Sequence, residues 1–133
     1  MLRTASLLIG AMLVAGAPAL AKSPPETGEA RLAKLLEGRV AGDPLDCLEL
    51  RDIRASRIIP GTAIVYETVG DRLYVNRPDS GAASLDSWDV LVTDTQISRL
   101  CNIDVVHLHD SGTRMQTGLV FLGDFVPYER PDR

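Results

Sequence analysis

Thr62-Ala63-Ile64-Val65-Tyr66-Glu67-Thr68-Val69-Gly70-Asp71-Arg72-Leu73-Tyr74-Val75-Asn76 decides the fold class of this 133-residue chain. Residues 62–68 are rich in strand formers, and residues 72–76 alternate apolar and polar side chains. Gly70-Asp71 lies between them, and Gly70 supplies the left-handed backbone of a tight turn. The stretch therefore predicts a β-hairpin with Tyr66 and Tyr74 as cross-strand neighbours.

Working back from the hairpin, Pro60-Gly61 is a turn. Residues 54–59 form a more weakly alternating strand, and Leu48 and Leu50 alternate with Glu49 and Arg51. Working forward, residues 77–87 hold Pro78, Asp79, Ser80 and Gly81 and read as a loop. Strands are predicted at 88–93, 104–109 and 116–126, the last with bends at Gly118 and Gly123. Residues 94–100 are polar and suggest a single helical turn. The whole is mainly β: about six strands in a small antiparallel barrel or sandwich. A parallel sheet would need crossover helices, and the sequence offers none.

One short N-terminal helix precedes the strands. Leu32, Leu35 and Leu36 share a face over residues 29–37, with Thr27 as N-cap and Gly38 as the stop. Residues 22–28, with Pro24-Pro25, read as a flexible leader. Residues 1–21 read as a secretory signal. Arg3 precedes an apolar run, and Ala19-Leu20-Ala21 places small residues where a peptidase cuts. Pro18 and the shortness of the run argue against a membrane anchor, so no stable membrane insertion is expected after cleavage. Residues 29–133 then form a single β-rich domain in a periplasmic or secreted protein. The signal contains only one of the 14 basic residues and none of the 18 acidic ones, which leaves a mature net charge of about −5. That balance argues against nucleic acid as a partner.

Export gives the two cysteines, Cys47 and Cys101, their first reading as a disulfide. It would close a loop of about 55 residues, worth roughly 4 kcal/mol in the chain-entropy account. The alternative is a nucleophilic thiol at Cys101 working with His107 or His109. No Cys-x-x-Cys or other thiol signature accompanies it. His107 and His109 are two apart on a predicted strand and so share a face, where they could hold a metal such as zinc. The plainer reading has Val106 and Leu108 in the core and both imidazoles facing water.

Three other groups merit the same comparison. Arg51, Arg54 and Arg57 would make an anion-binding stripe on a helix, but spacing of three alternates faces on a strand, so local ion pairs with Glu49 and Asp52 are preferred. Tyr66, Tyr74 and Trp88 could line a groove, but so few aromatics read first as core. Ser80, Ser84 and Ser87 lack a nucleophile elbow and an identifiable base.

A set of short strings along residues 45–128 resembles a family of small exported bacterial proteins classed as a domain of unknown function. They are Cys47-Leu48-Glu49-Leu50-Arg51-Asp52-Ile53-Arg54, Gly61-Thr62-Ala63-Ile64-Val65-Tyr66, Leu73-Tyr74-Val75-Asn76-Arg77-Pro78, Leu100-Cys101-Asn102-Ile103-Asp104 and Leu122-Gly123-Asp124-Phe125-Val126-Pro127-Tyr128. The resemblance implies that the paired cysteines and the Leu122-Gly123-x-Phe125-x-Pro127 ending belong to the scaffold. It implies no catalytic residues, and the histidine pair lies outside it. Together these readings predict a non-enzymatic exported binding or accessory domain, with no cofactor and with an unknown envelope protein or small ligand as partner. A small metal- or thiol-dependent enzyme and an inhibitor of an exported enzyme are the alternatives.

Overall fold

The computed structural model of the protein describes residues 16–20 and 23–132. Most of the signal reading over 1–21 lies outside the described residues, as do Lys22 of the leader and Arg133. The elements are α1 (Gly28–Leu35), β1 (Val40–Ala41), β2 (Cys47–Glu49), β3 (Ile53–Ile59), β4 (Ala63–Thr68), β5 (Arg72–Asn76), β6 (Asp89–Thr93), β7 (Arg99–Cys101), β8 (Val105–Asp110), β9 (Gln116–Phe121) and β10 (Phe125–Glu129). Single 3-10 turns occur at Leu50–Asp52 and Ala82–Ser84.

The strands form three antiparallel sheets, ordered β1-β10-β5-β4-β3, β6-β8-β9 and β2-β7. Of the two predicted architectures, the fold is sandwich-like and does not close into a barrel. The hairpin at its centre is β4–β5, with Tyr66 opposite Tyr74. Gly70 and Asp71 both take positive φ, 79° and 58°, which gives the chain the sharp reversal the sequence implied.

β4 is buried on both faces, and its alternation separates two cores. Ile64 and Tyr66 point toward the three-stranded sheet and pack with Phe125, Val106, Leu108, Val120 and Leu122. Ala63 and Val65 point the other way, where Leu32 of α1 packs with Leu73 and Val75. α1 thus lies on the outer face of the five-stranded sheet. Thr27 caps it, its Oγ1 accepting from the Ala30 N–H at 3.1 Å, and Glu29 forks onto Arg77 beside β5 at 2.6 and 3.1 Å. Gly38, at φ 73°, ends the turn as expected.

Three sequence expectations change. The predicted strand 116–126 is two strands in different sheets, because residues 122–124 break from β9 and cross to the five-stranded sheet as β10. Asn76 fixes that crossing: its buried amide accepts from the Gly123 N–H at 3.0 Å and donates to the Gly123 carbonyl at 2.6 Å. A Cβ at Gly123 would collide with the Arg77 carbonyl. The polar stretch 94–100 holds no helical turn and ends in β7, which the disulfide and the Glu49–Arg99 ion pair clamp to β2. Finally, Trp88 is not core: it is 76% exposed.

Candidate functional site

Cys47 and Cys101 are directly opposed in the β2–β7 ladder, their Cα atoms 4.0 Å apart, and they form the disulfide. The alternation beside them sends Leu48 and Leu100 into the shared core. No free cysteine is present among the described residues, so neither sulfur is available as a nucleophile. A disulfide of this kind is consistent with an oxidising, exported compartment.

His107 and His109 lie on the outer face of β8, while Val106 and Leu108 fill the core. Both imidazoles are half-buried rather than fully in water. The register sets His107 between Val92 and Leu119, and His109 beside Val90. The His109 Nδ1 is 3.2 Å from the Arg114 carbonyl. Among the described residues no group of three or more His, Cys, Asp or Glu side chains gathers around them or elsewhere as a metal cage. Arg51, Arg54 and Arg57 are not gathered either: Arg51 is on the 3-10 turn, Arg54 marks a register shift in β3, and Arg57 pairs with Glu67 at 3.3 Å.

Tyr66 and Tyr74 pair as expected, but Trp88 is on the opposite side of the three-stranded sheet from their core, so the three line no common groove. Tyr66 packs edge-on against Phe125, with ring centres 5.8 Å apart. Its hydroxyl is buried without a hydrogen-bond partner, and burial pushes its pKa well above the usual tyrosine range.

Among the described residues a cleft of about 630 Å³ has three walls. Arg31 and Leu35 of α1 make one wall, residues 56–59 of β3 the second, and Ser87 with residues 89–91 of β6 the third. Consecutive residues on both strands line it. Side chains alternate across a strand, so a wall of consecutive residues is a strand edge and not a sheet face. β3 is the edge of the five-stranded sheet and β6 the edge of the three-stranded one. Among the described residues no backbone hydrogen bond joins the two. The Gly61 N–H at the β3–β4 turn donates to the Leu85 carbonyl, between the two strands and four residues before Asp89, at 3.0 Å. The lining mixes aliphatic groups with the guanidinium groups of Arg31 and Arg57 and the carboxylate of Asp89, whose Oδ2 is buried and has no hydrogen-bond partner.

The sequence named Arg57 and Ser87 only as members of other candidate groups and did not bring the cleft residues together. Ser56 read as ordinary alternation and Arg57 as a partner in local ion pairs, and edge position depends on where distant strands pair. Asp89 alone left a sign, a carboxylate on the core-facing side of the apolar run Val90-Leu91-Val92.

No helix of the described residues is long and apolar enough to cross a membrane. Comparison with known proteins finds no matching family model, no matching curated protein and no matching solved structure.

Proposed function

We propose that the protein is an exported, periplasmic or secreted, non-enzymatic binding domain whose ligand occupies the cleft between β3, β6 and α1. The observation that carries this reading is the cleft itself: a three-walled space with aliphatic, cationic, anionic and hydroxyl groups converging on it. The disulfide supports export, as does the signal-like N-terminal sequence. Membership of the exported domain family that the sequence resembles is part of the same proposal. The thiol-dependent alternative has no free sulfur to use, since both cysteines are bonded to each other.

The test is a fragment screen followed by amide chemical shifts on the disulfide-bonded mature protein. Hits are expected to move the amides of residues 56–59 and 87–91 together, and to disappear in Ser56→Trp, which fills the cleft. Hits that gather on His107 and Leu119, or no hits at all, would overturn the assignment of the cleft. A turnover in a hydrolase screen that one point mutation abolishes would overturn the non-enzymatic reading.

A further inference from the structure

We infer that the occupant of the cleft is an extended peptide of a partner protein, which adds as a strand between β3 and β6. The inference rests on the binding role proposed for the cleft and specifies its ligand. An exposed strand edge presents a row of unused N–H and C=O groups, and folded proteins blunt such edges or use them. Each of the two larger sheets has two edges. In the five-stranded sheet, β1 is only two residues long, and beyond it the Gly42 N–H and the reciprocal Leu45–Phe125 bonds continue to cover β10. In the three-stranded sheet, β9 is covered where the Asp79 N–H donates to the Phe121 carbonyl and the Phe121 N–H to the Ser80 carbonyl. Of the four edges of the two larger sheets, the two without such cover, β3 and β6, face the same cleft.

The side chains define what the peptide would carry. Residues 56–59 span about 10 Å at the usual strand rise, which fits four peptide residues. An added strand points alternate side chains to opposite faces. Those leaning toward α1 would meet Arg31 and Leu35, which suit an acidic or aliphatic residue. The only ion pair of Arg31 among the described residues is a loose 3.9 Å contact to Glu26, so its charge is open to a better partner. Side chains leaning toward the core side would meet Asp89, whose carboxylate suits an ammonium or hydroxyl donor. The sequence class is thus an extended segment alternating Glu or Leu with Lys or Thr. Ordinary backbone bonding supplies affinity and this alternation supplies selectivity.

The probe is a set of eight-residue synthetic peptides of that alternating class, each made also with N-methyl groups on every second backbone nitrogen in either phase. Titration by amide shifts on the mature protein is expected to move residues 56–59 and 89–91. One phase of methylation should weaken binding at least tenfold while the other changes it less than threefold. Exchange of the amides in residues 56–59 should slow on binding. Peptides or fragments that fill the cleft but are indifferent to methylation would overturn strand addition and leave the cleft reading standing. If no peptide moves these residues while fragments do, strand addition fails alone; if fragments fail as well, both readings fall.

Discussion

The outer faces of the two main sheets are both apolar, but only one is covered. On the five-stranded sheet, Ala63, Val65, Leu73 and Val75 face outward and are buried because α1 lies over them with Leu32 at the centre. On the three-stranded sheet, Val90, Val92, Leu119 and Phe121 occupy the equivalent position with no element over them, and their exposures range from 37 to 50%. Apolar patterning alone does not distinguish the two faces. A single short amphipathic helix, anchored by the Thr27 cap and the Glu29–Arg77 fork, makes one face core and leaves the other as surface. The sandwich is therefore asymmetric: three layers thick over β4 and two layers thick over β8.

The strongest way to break that asymmetry is to loosen what both sheets share. The β2–β7 pair donates Leu48 and Leu100 to the common core, and the disulfide holds it shut across 54 residues of sequence. Replacing both cysteines by alanine should cost about 4 kcal/mol, since the loop is long and the pair is only three residues per strand. Denaturant unfolding of the double variant checks this, and a loss below about 1 kcal/mol would show that β2–β7 holds without its staple.

A smaller change acts on the covered face alone. Leu32 is 2% exposed and is the only fully buried side chain of α1. Leu32→Ala should cost about 2–5 kcal/mol, because helix and sheet relax only partly around the lost volume. An eight-residue helix has little stability of its own, so amide exchange in α1 should accelerate more than exchange in β8. Equal acceleration in both would mean that the helix and the two sheets open as one unit, and the asymmetry would carry no dynamic consequence.

The uncovered face offers the opposite expectation. Val92 is 42% exposed, and Val92→Thr keeps its β-branched shape while adding a hydroxyl that water can reach. The variant should lie within about 0.5 kcal/mol of the parent protein. A cost above about 1 kcal/mol would indicate that something covers this face in solution, and sedimentation would then reveal a second copy.

The asymmetry also explains which parts of the molecule were legible in the sequence. The β4–β5 hairpin was legible because its turn chemistry and alternation are local, and so was α1, from three leucines between a Thr cap and a Gly stop. The disulfide followed from the signal-like N-terminal sequence and an even cysteine count. The course of residues 116–126 was legible only as a bend at Gly123, because the crossing to the other sheet depends on Asn76, forty-seven residues away. Trp88 misled for a related reason: aromatic scarcity suggests core, but Trp88 shares the face of Val90 and Val92, which no helix covers. The cleft left no sign beyond Asp89, since edges are a property of how strands are ordered and not of any one strand.

The smallest expected effect compares the two sheets through two exposed carboxylates. At the five-stranded sheet, the Arg39 guanidinium, assisted by Arg130, holds the Asp71 carboxyl below the usual aspartate range. At the three-stranded sheet, Asp110 is also held low, by the Thr113 N–H and hydroxyl and then the Gly112 N–H in the β8–β9 turn. A carboxyl lowered in the folded state contributes stability above its unfolded pKa, near 3.8, and loses it as pH falls through the folded value. Both sheets should therefore lose stability in the same acid window, below about pH 4. The causes differ, however. The Asp71 contacts are ion pairs, and Asp71 and Arg130 are exposed although the Arg39 side chain is only 5% exposed, so salt screens them in part, whereas the turn around Asp110 uses neutral donors at short range. Carboxyl carbon titration by NMR should show the Asp71 pKa rising toward its ordinary value in 1 M NaCl, with Asp110 moving less. Asp71→Asn should remove the salt-sensitive part of the acid limb and Asp110→Asn the salt-insensitive part. Equal salt response at the two carboxylates would mean that the turn around Asp110 depends on long-range charge as much as the Asp71 cluster does. The comparison between a charge-stitched sheet and a backbone-stitched one would then fail at the level of electrostatics while surviving at the level of packing.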